Sequence, residues 1–270
     1  MVSRIVAGIL AVLGVLLLVV GMLAGFTRYE VLDSARFTAT ADQVRKDPEV
    51  AKQLGIVVTD RIVAANPNLR LLRPLVQRTA TSVITQDSLT PLVQGAVQPL
   101  HQAIVNGDAS DAALQLNKVG AEVVEGLRTV RPDLQISAPA DLTVGQQALG
   151  AQQALEQIAK VSGWVTLASW LSPLIGVLLL ALAGALRGGI RGAIRWVGGG
   201  LIGAAVLLAI ATGLGTLAAD SLTATSVATA AAKAGWPHLS PTLWMLAGAV
   251  AVIGVVVTAA SHLRRDPQRG

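Results

Sequence analysis

Residues 164–186 read WVTLASWLSPLIGVLLLALAGAL, residues 187–195 read RGGIRGAIR, and residues 196–219 read WVGGGLIGAAVLLAIATGLGTLAA. Two runs of 23 and 24 residues without Asp, Glu, Lys or Arg flank a short stretch holding three arginines. At about 1.5 Å rise per residue each run covers roughly 35 Å as a helix, more than the roughly 30 Å hydrocarbon core of a bilayer. A fully soluble chain has no use for such runs.

Working outward, two more charge-free runs have the same length: Ile5 to Phe26 and Thr242 to Leu263, 22 residues each. The pattern predicts a mainly α membrane protein with four transmembrane helices. A signal peptide is the rival reading of the first run. Its apolar region would be only about 7–15 residues and would end in a small-x-small cleavage site. Ala24-Gly25-Phe26 is a poor one, so the run is expected to stay as an anchor.

Arginine placement orients the spans. Arg4 precedes the first, Arg187, Arg191 and Arg195 fill the loop between the second and third, and Arg264, Arg265 and Arg269 follow the fourth. Cations concentrate on the cytoplasmic side. Both termini of this cell-membrane protein are then cytoplasmic, and residues 28–160 are extracytoplasmic. Those residues hold 13 Lys/Arg against 14 Asp/Glu, a net charge of −1 in a chain of net +5. The pI near 10.2 therefore reports topology. Nucleic-acid binding would need cations gathered on one folded face, and no nucleic-acid partner is expected. Membrane lipids are.

The expected division is residues 1–27 as cytoplasmic N-terminus and first span, 28–160 as the extracytoplasmic domain, and 161–270 as spans two to four with the arginine loop and tail. Within the spans, Gly14, Gly21 and Gly25 line one stripe, Gly199 and Gly203 form a GxxxG, and Gly248 heads a small face with Ala251 and Val255. Small residues let helices approach closely in lipid, within this chain or against another. Trp164, Trp196 and Trp244 fall at span ends, as interfacial anchors do. No span carries an ionisable group in its interior, which argues against ion-coupled transport.

The extracytoplasmic stretch reads as mostly helical. Asp33 can cap a helix through Lys46. Asp47-Pro48-Glu49 combines a capping acid, proline at the first helical position and an acid at the positive end of the dipole. That helix runs to Ala65 with Val50, Leu54, Val57, Val58 and Ile62 on one face, and Asn66-Pro67 ends it. Further helices are expected over Leu69 to Gln86, Leu89 to Val105, Lys118 to Val130 and Leu142 to Lys160. Two short alternating pieces, Ala113 to Asn117 and Asp133 to Ser137, read as two short β strands.

Chemistry-bearing residues are few. The chain has no cysteine, three histidines and one tyrosine. Thiolate catalysis, disulfides and Cys-based metal sites are excluded. His101 lacks an acid within four residues to orient it. Asp108 and Asp111 fall short of an EF-hand pattern. Glu122 and Glu125 resemble a solvated helix face. GxSxG, Walker, HExxH and GxGxxG motifs are absent. No catalytic, cofactor-binding or metal-ligating residue is expected, and the chain is not expected to be an enzyme.

Leu32-Asp33-Ser34-Ala35-Arg36-Phe37, Asp47-Pro48-Glu49-Val50 and Thr59-Asp60-Arg61-Ile62 resemble the opening of uncharacterised four-span integral membrane proteins of actinobacteria. His101 followed by Asn106-Gly107-Asp108 is similar to a later segment of that family, although Val97 and Gln98 stand where its members often carry tryptophan and asparagine. The excess of arginine over lysine, 16 to 5, suits a high-GC genome. The resemblance implies a helical extracytoplasmic domain on four spans and brings no activity with it.

Of two functions weighed, the first is the one expected and the second its alternative. The first is a scaffold or accessory subunit for cell-envelope protein partners, or a homo-oligomer. The second is a lipid- or small-molecule-binding protein. An exposed apolar patch would favour the first. A continuous apolar pocket, on the order of 300 Å³ or more, would favour the second.

Overall fold

Two aspartates start the helices of the polar stretch. In the computed structural model, which describes residues 2–106, 113–133, 136–138, 143–145 and 152–263, Asp33 accepts from the Arg36 N–H at 2.9 Å and opens α2 (Ser34–Arg45). Asp47 accepts from the N–H groups of Glu49 and Val50 and opens α3 (Pro48–Ala65), with proline in the first turn. α1 (Val2–Glu30) precedes them. The chain is mainly helical and divides into two units.

The second unit comprises Val31–Gly163 and Ala218–His238. After α3 come a 3-10 turn (Pro67–Leu72), α4 (Arg73–Ile84), a 3-10 turn (Asp87–Leu89), α5 (Thr90–Asn106), β1 (Ala113–Gln115), α6 (Asn117–Val130) and β2 (Thr143–Gly145). The helix expected over Leu69–Gln86 starts later, because Pro74 lacks an N–H and is accommodated in the first turn of a new helix. α4 packs between α3 and α6. Ile62, Leu69, Val76, Val123 and Leu127 are fully enclosed there.

β1 lies where the first alternating piece was expected, and it pairs antiparallel with β2, Leu114 facing Val144. The second expected strand, Asp133–Ser137, is corrected: Asp133 is in a turn, 136–138 have no regular structure, and Leu134 and Gln135 lie outside the described residues. Side chains take the backbone groups a strand would have used. The Asn66 amide donates to the Ser137 carbonyl and accepts from the Ser137 N–H, both at 3.0 Å. Arg128 donates to the Ile136 carbonyl at 2.8 Å. The helix expected over Leu142–Lys160 starts only at Gln152, with β2 before it and 146–151 outside the described residues.

Residues 218–238, between the third and fourth charge-free runs, belong to this unit. Gln53 donates to the Ala224 carbonyl at 2.7 Å. Ser226 and Thr229 cap α8 (Val227–Leu263) through each other's hydroxyls. Val227 joins the core and Ala230 sits against Val44 and Val50.

The first unit comprises Met1–Glu30, Trp164–Leu217 and Leu239–Gly270. Among the described residues three helices are long and apolar enough to cross a membrane, over Ser3–Glu30, Gly163–Ser221 and Val227–Ser261, with mean hydropathies of 3.0, 2.1 and 2.3. The middle one, α7 (Gln152–Ser221), is broken at Gly188 and Gly189. Gly189 has φ +60°, a conformation glycine adopts without Cβ penalty. The chain folds back there. A Cβ on Gly184 would stand 2.3 Å from the Gly192 carbonyl oxygen, and one on Gly200 the same distance from Leu180. α7 is thus two antiparallel arms touching backbone to backbone at their start.

Candidate functional site

Small residues on the apolar faces of the second unit leave room behind them. Ala41 on α2, Ala96 on α5 and Ala231 on α8 line one partly open cavity of about 250 Å³, together with Phe37, Leu54 and Val97. Its wall is almost wholly apolar, the stem of Arg45 included.

Arg45 is buried, and its charged end is satisfied away from the cavity. Nε donates to Asp42 at 2.8 Å, Nη2 to the Thr90 hydroxyl at 3.0 Å, and Nη1 to the Ile84 carbonyl. The Thr90 hydroxyl donates in turn to Asp42 at 2.9 Å. Burial opposes the charged form of Asp42, but the Thr90 hydroxyl, the Arg45 guanidinium and the Lys46 ammonium outweigh it and hold the carboxyl below its usual range. Lys46 continues the chain of charges to Asp87 at 2.6 Å, and that carboxylate raises the proton affinity of the Lys46 amine. The network ties α2 to the end of α4 and the start of α5, the three pieces that frame one side of the cavity. It presents no charge to a ligand.

His101 is buried beside this wall. Its ring lies 5.0 Å from that of Phe37, tilted by 44°. Among the described residues Nε2 has no hydrogen-bond partner. Among the described residues no three His, Asp or Glu gather as metal ligands would. Asp108 and Asp111 lie outside the described residues. Glu122 and Glu125 are exposed, and Glu125 faces Arg128 at 3.4 Å.

The residues singled out from sequence lie in the first unit. Gly14 meets Leu180 and the Gly176 backbone, and Gly21 meets Pro173. Gly203 makes an ordinary contact with Val15. At Gly25, Gly199 and Gly248 nothing from another described segment comes within 4 Å of the place a Cβ would take. Crossing helices touch closely over a turn or two, so the ends of a small-residue stripe run free. The close approaches missed are Gly176, Gly184, Gly192, Gly198, Gly200 and Gly254, the last standing against Gly198. Arg187 donates to the Arg4 carbonyl at 2.9 Å and lies 4.9 Å over the Trp196 ring, gathering the first two arginine positions at one end of the unit. Arg264, Arg265 and Arg269 lie outside the described residues.

The cavity residues escaped the sequence reading because an alanine on an apolar stripe reads as packing. The available signal was Phe37, one of only two phenylalanines, one turn before the i, i+3 pair Asp42 and Arg45. No protein-family profile, no curated protein and no solved structure matches the chain.

Proposed function

We propose that the chain is an integral protein of the cell membrane with four spans and both termini in the cytoplasm, and that its extracytoplasmic unit binds an apolar ligand such as a lipid acyl chain. The cavity carries this reading. At about 250 Å³ it exceeds the roughly 150 Å³ of an engineered cavity that takes benzene and approaches the lower bound of about 300 Å³ for ligand pockets. It suits one chain or part of one. The walls offer no charged partner, so selection would rest on shape and hydrophobicity. A scaffold would need an exposed apolar patch; the large exposed hydrophobics described in this unit are Leu71, Val105 and Val130, on three separate elements.

The fold-back at Gly188–Gly189 supports reading the middle helix as two spans, with the arginines of its turn on the cytoplasmic side. A reporter active only in the cytoplasm should work when fused after Arg269 and stay silent when inserted at Asn106. Activity at Asn106 would overturn the orientation. For the ligand, full-length protein purified in mild detergent is extracted with solvent and the extract analysed by mass spectrometry. An apolar molecule should accompany the native chain and be depleted by Ala96→Leu, which fills the cavity. Equal recovery from both, with Ala96→Leu folded, would sink the proposal.

A further inference from the structure

The first unit carries a groove of its own, about 490 Å³, between α1 and the second arm of α7. Val12, Val15 and Leu16 form one wall and Leu207 part of the other. Gly199 lies on its floor, and a Cβ there would meet nothing within 4 Å. The groove is mostly apolar, and Arg195 and Trp196 are among the residues that line it. More cations stand beside them. Arg187 lies over the Trp196 ring and reaches the Arg4 backbone, and Arg191 is one turn before Arg195.

We propose that this groove is a binding site for one anionic glycerophospholipid, an acyl chain lying along Gly199 and the phosphate held at Arg195. An apolar trough alone would accept any chain or a helix of a second copy. The arginines decide the occupant, because a basic pocket between membrane helices on the cytoplasmic side complements an anionic headgroup. The indole of Trp196 sits at the junction of trough and cations, where an amphipathic ring favours the level of lipid headgroups. Glycine at 199 keeps the floor low enough for a chain to lie on it. The inference rests on the membrane placement proposed above and is independent of the cavity in the second unit.

The test uses full-length protein in detergent, titrated with phosphatidylglycerol or with phosphatidylcholine of the same chains and followed by native mass spectrometry. One phosphatidylglycerol should bind at least about fivefold more tightly than phosphatidylcholine, the worth of roughly one guanidinium near an anionic headgroup. Arg195→Gln should remove that preference and leave chain binding. Gly199→Leu should weaken both lipids. Gly248→Leu, at another glycine with open space around it, should change neither. Equal affinity for the two lipids in the native chain would overturn the proposal. So would a preference that survives Arg195→Gln and Gly199→Leu, or a native dimer that Gly199→Leu abolishes. Carbonate extraction of each variant from membranes reports the membrane placement separately, so its failure is distinguishable from loss of the lipid site.

Discussion

The two units put the same kinds of side chain in opposite places. In the first, Leu178 is 67% exposed and Met245 68%, while Ala7, Ala183 and Ala204 are buried and glycines line the crossings. In the second, Leu69 and Leu127 are 0% exposed and the surface carries the charges. The difference follows from what each unit gains by packing. Water drives large apolar side chains inward. Lipid tails give no such drive, so a unit built for lipid gains mainly from close backbone approach, which only small residues allow. A 53% hydrophobic composition averages two designs and describes neither.

The largest expected effect attacks the backbone approach. Gly184→Val places carbon atoms where the Gly192 carbonyl stands, and no side-chain movement relieves a backbone clash. Most of the protein should elute as aggregate on size exclusion in mild detergent. A normal elution profile would mean the arms do not meet at these glycines.

Next comes one substitution made in both units. Leu127→Ala empties fully buried volume and should lower the stability of the second unit by about 2–5 kcal/mol. Leu178→Ala, on an exposed face, should change stability by less than about 0.5 kcal/mol. Thermal unfolding by circular dichroism in detergent compares them; equal losses would break the contrast between the units.

Arg45→Met tests the polar network behind the cavity. It leaves Asp42 without its main cation and should cost about 3 kcal/mol. The same pair sets an acid limit. A carboxyl held below its usual range in the fold contributes stability above the unfolded value near 3.9, and that contribution is lost as pH falls through the lower folded value. Asp42→Asn should therefore be less stable than the native chain at neutral pH, with the difference shrinking under acid. A difference that grows on acidification would reverse the assignment.

The smallest effect belongs to His101→Leu. Removing a buried nitrogen that has no partner should shift stability by less than about 1 kcal/mol, with a gain as readily as a loss. A loss several times larger would show that the imidazole is paired in solution.

The sequence carried some of this to the residue and some not at all. Asp47-Pro48-Glu49 located the start of α3, because capping, a fixed proline φ and the helix dipole all act within one turn. The charge-free runs located the apolar helices for an equally local reason. What depends on distant partners was illegible. Gly198 and Gly199 are indistinguishable as letters, yet one lies against Gly254 and the other faces open space. Ala230 is one alanine among many in a run of small residues, although it packs with Val44 and Val50 far back in the chain. The cavity belongs to the same class, since it is defined by what several alanines jointly fail to fill.

Segment Ala218–His238 also sets a schedule. Val227 and the carbonyl that receives Gln53 are supplied by residues made long after Gly163. A ribosome adding about 5–20 residues per second reaches residue 238 roughly 4–15 s after residue 163. During that interval Val44, Val50 and Leu54 lack the helix that covers them. Nascent chains must therefore cross a window of exposed apolar surface, and chaperone demand should peak there.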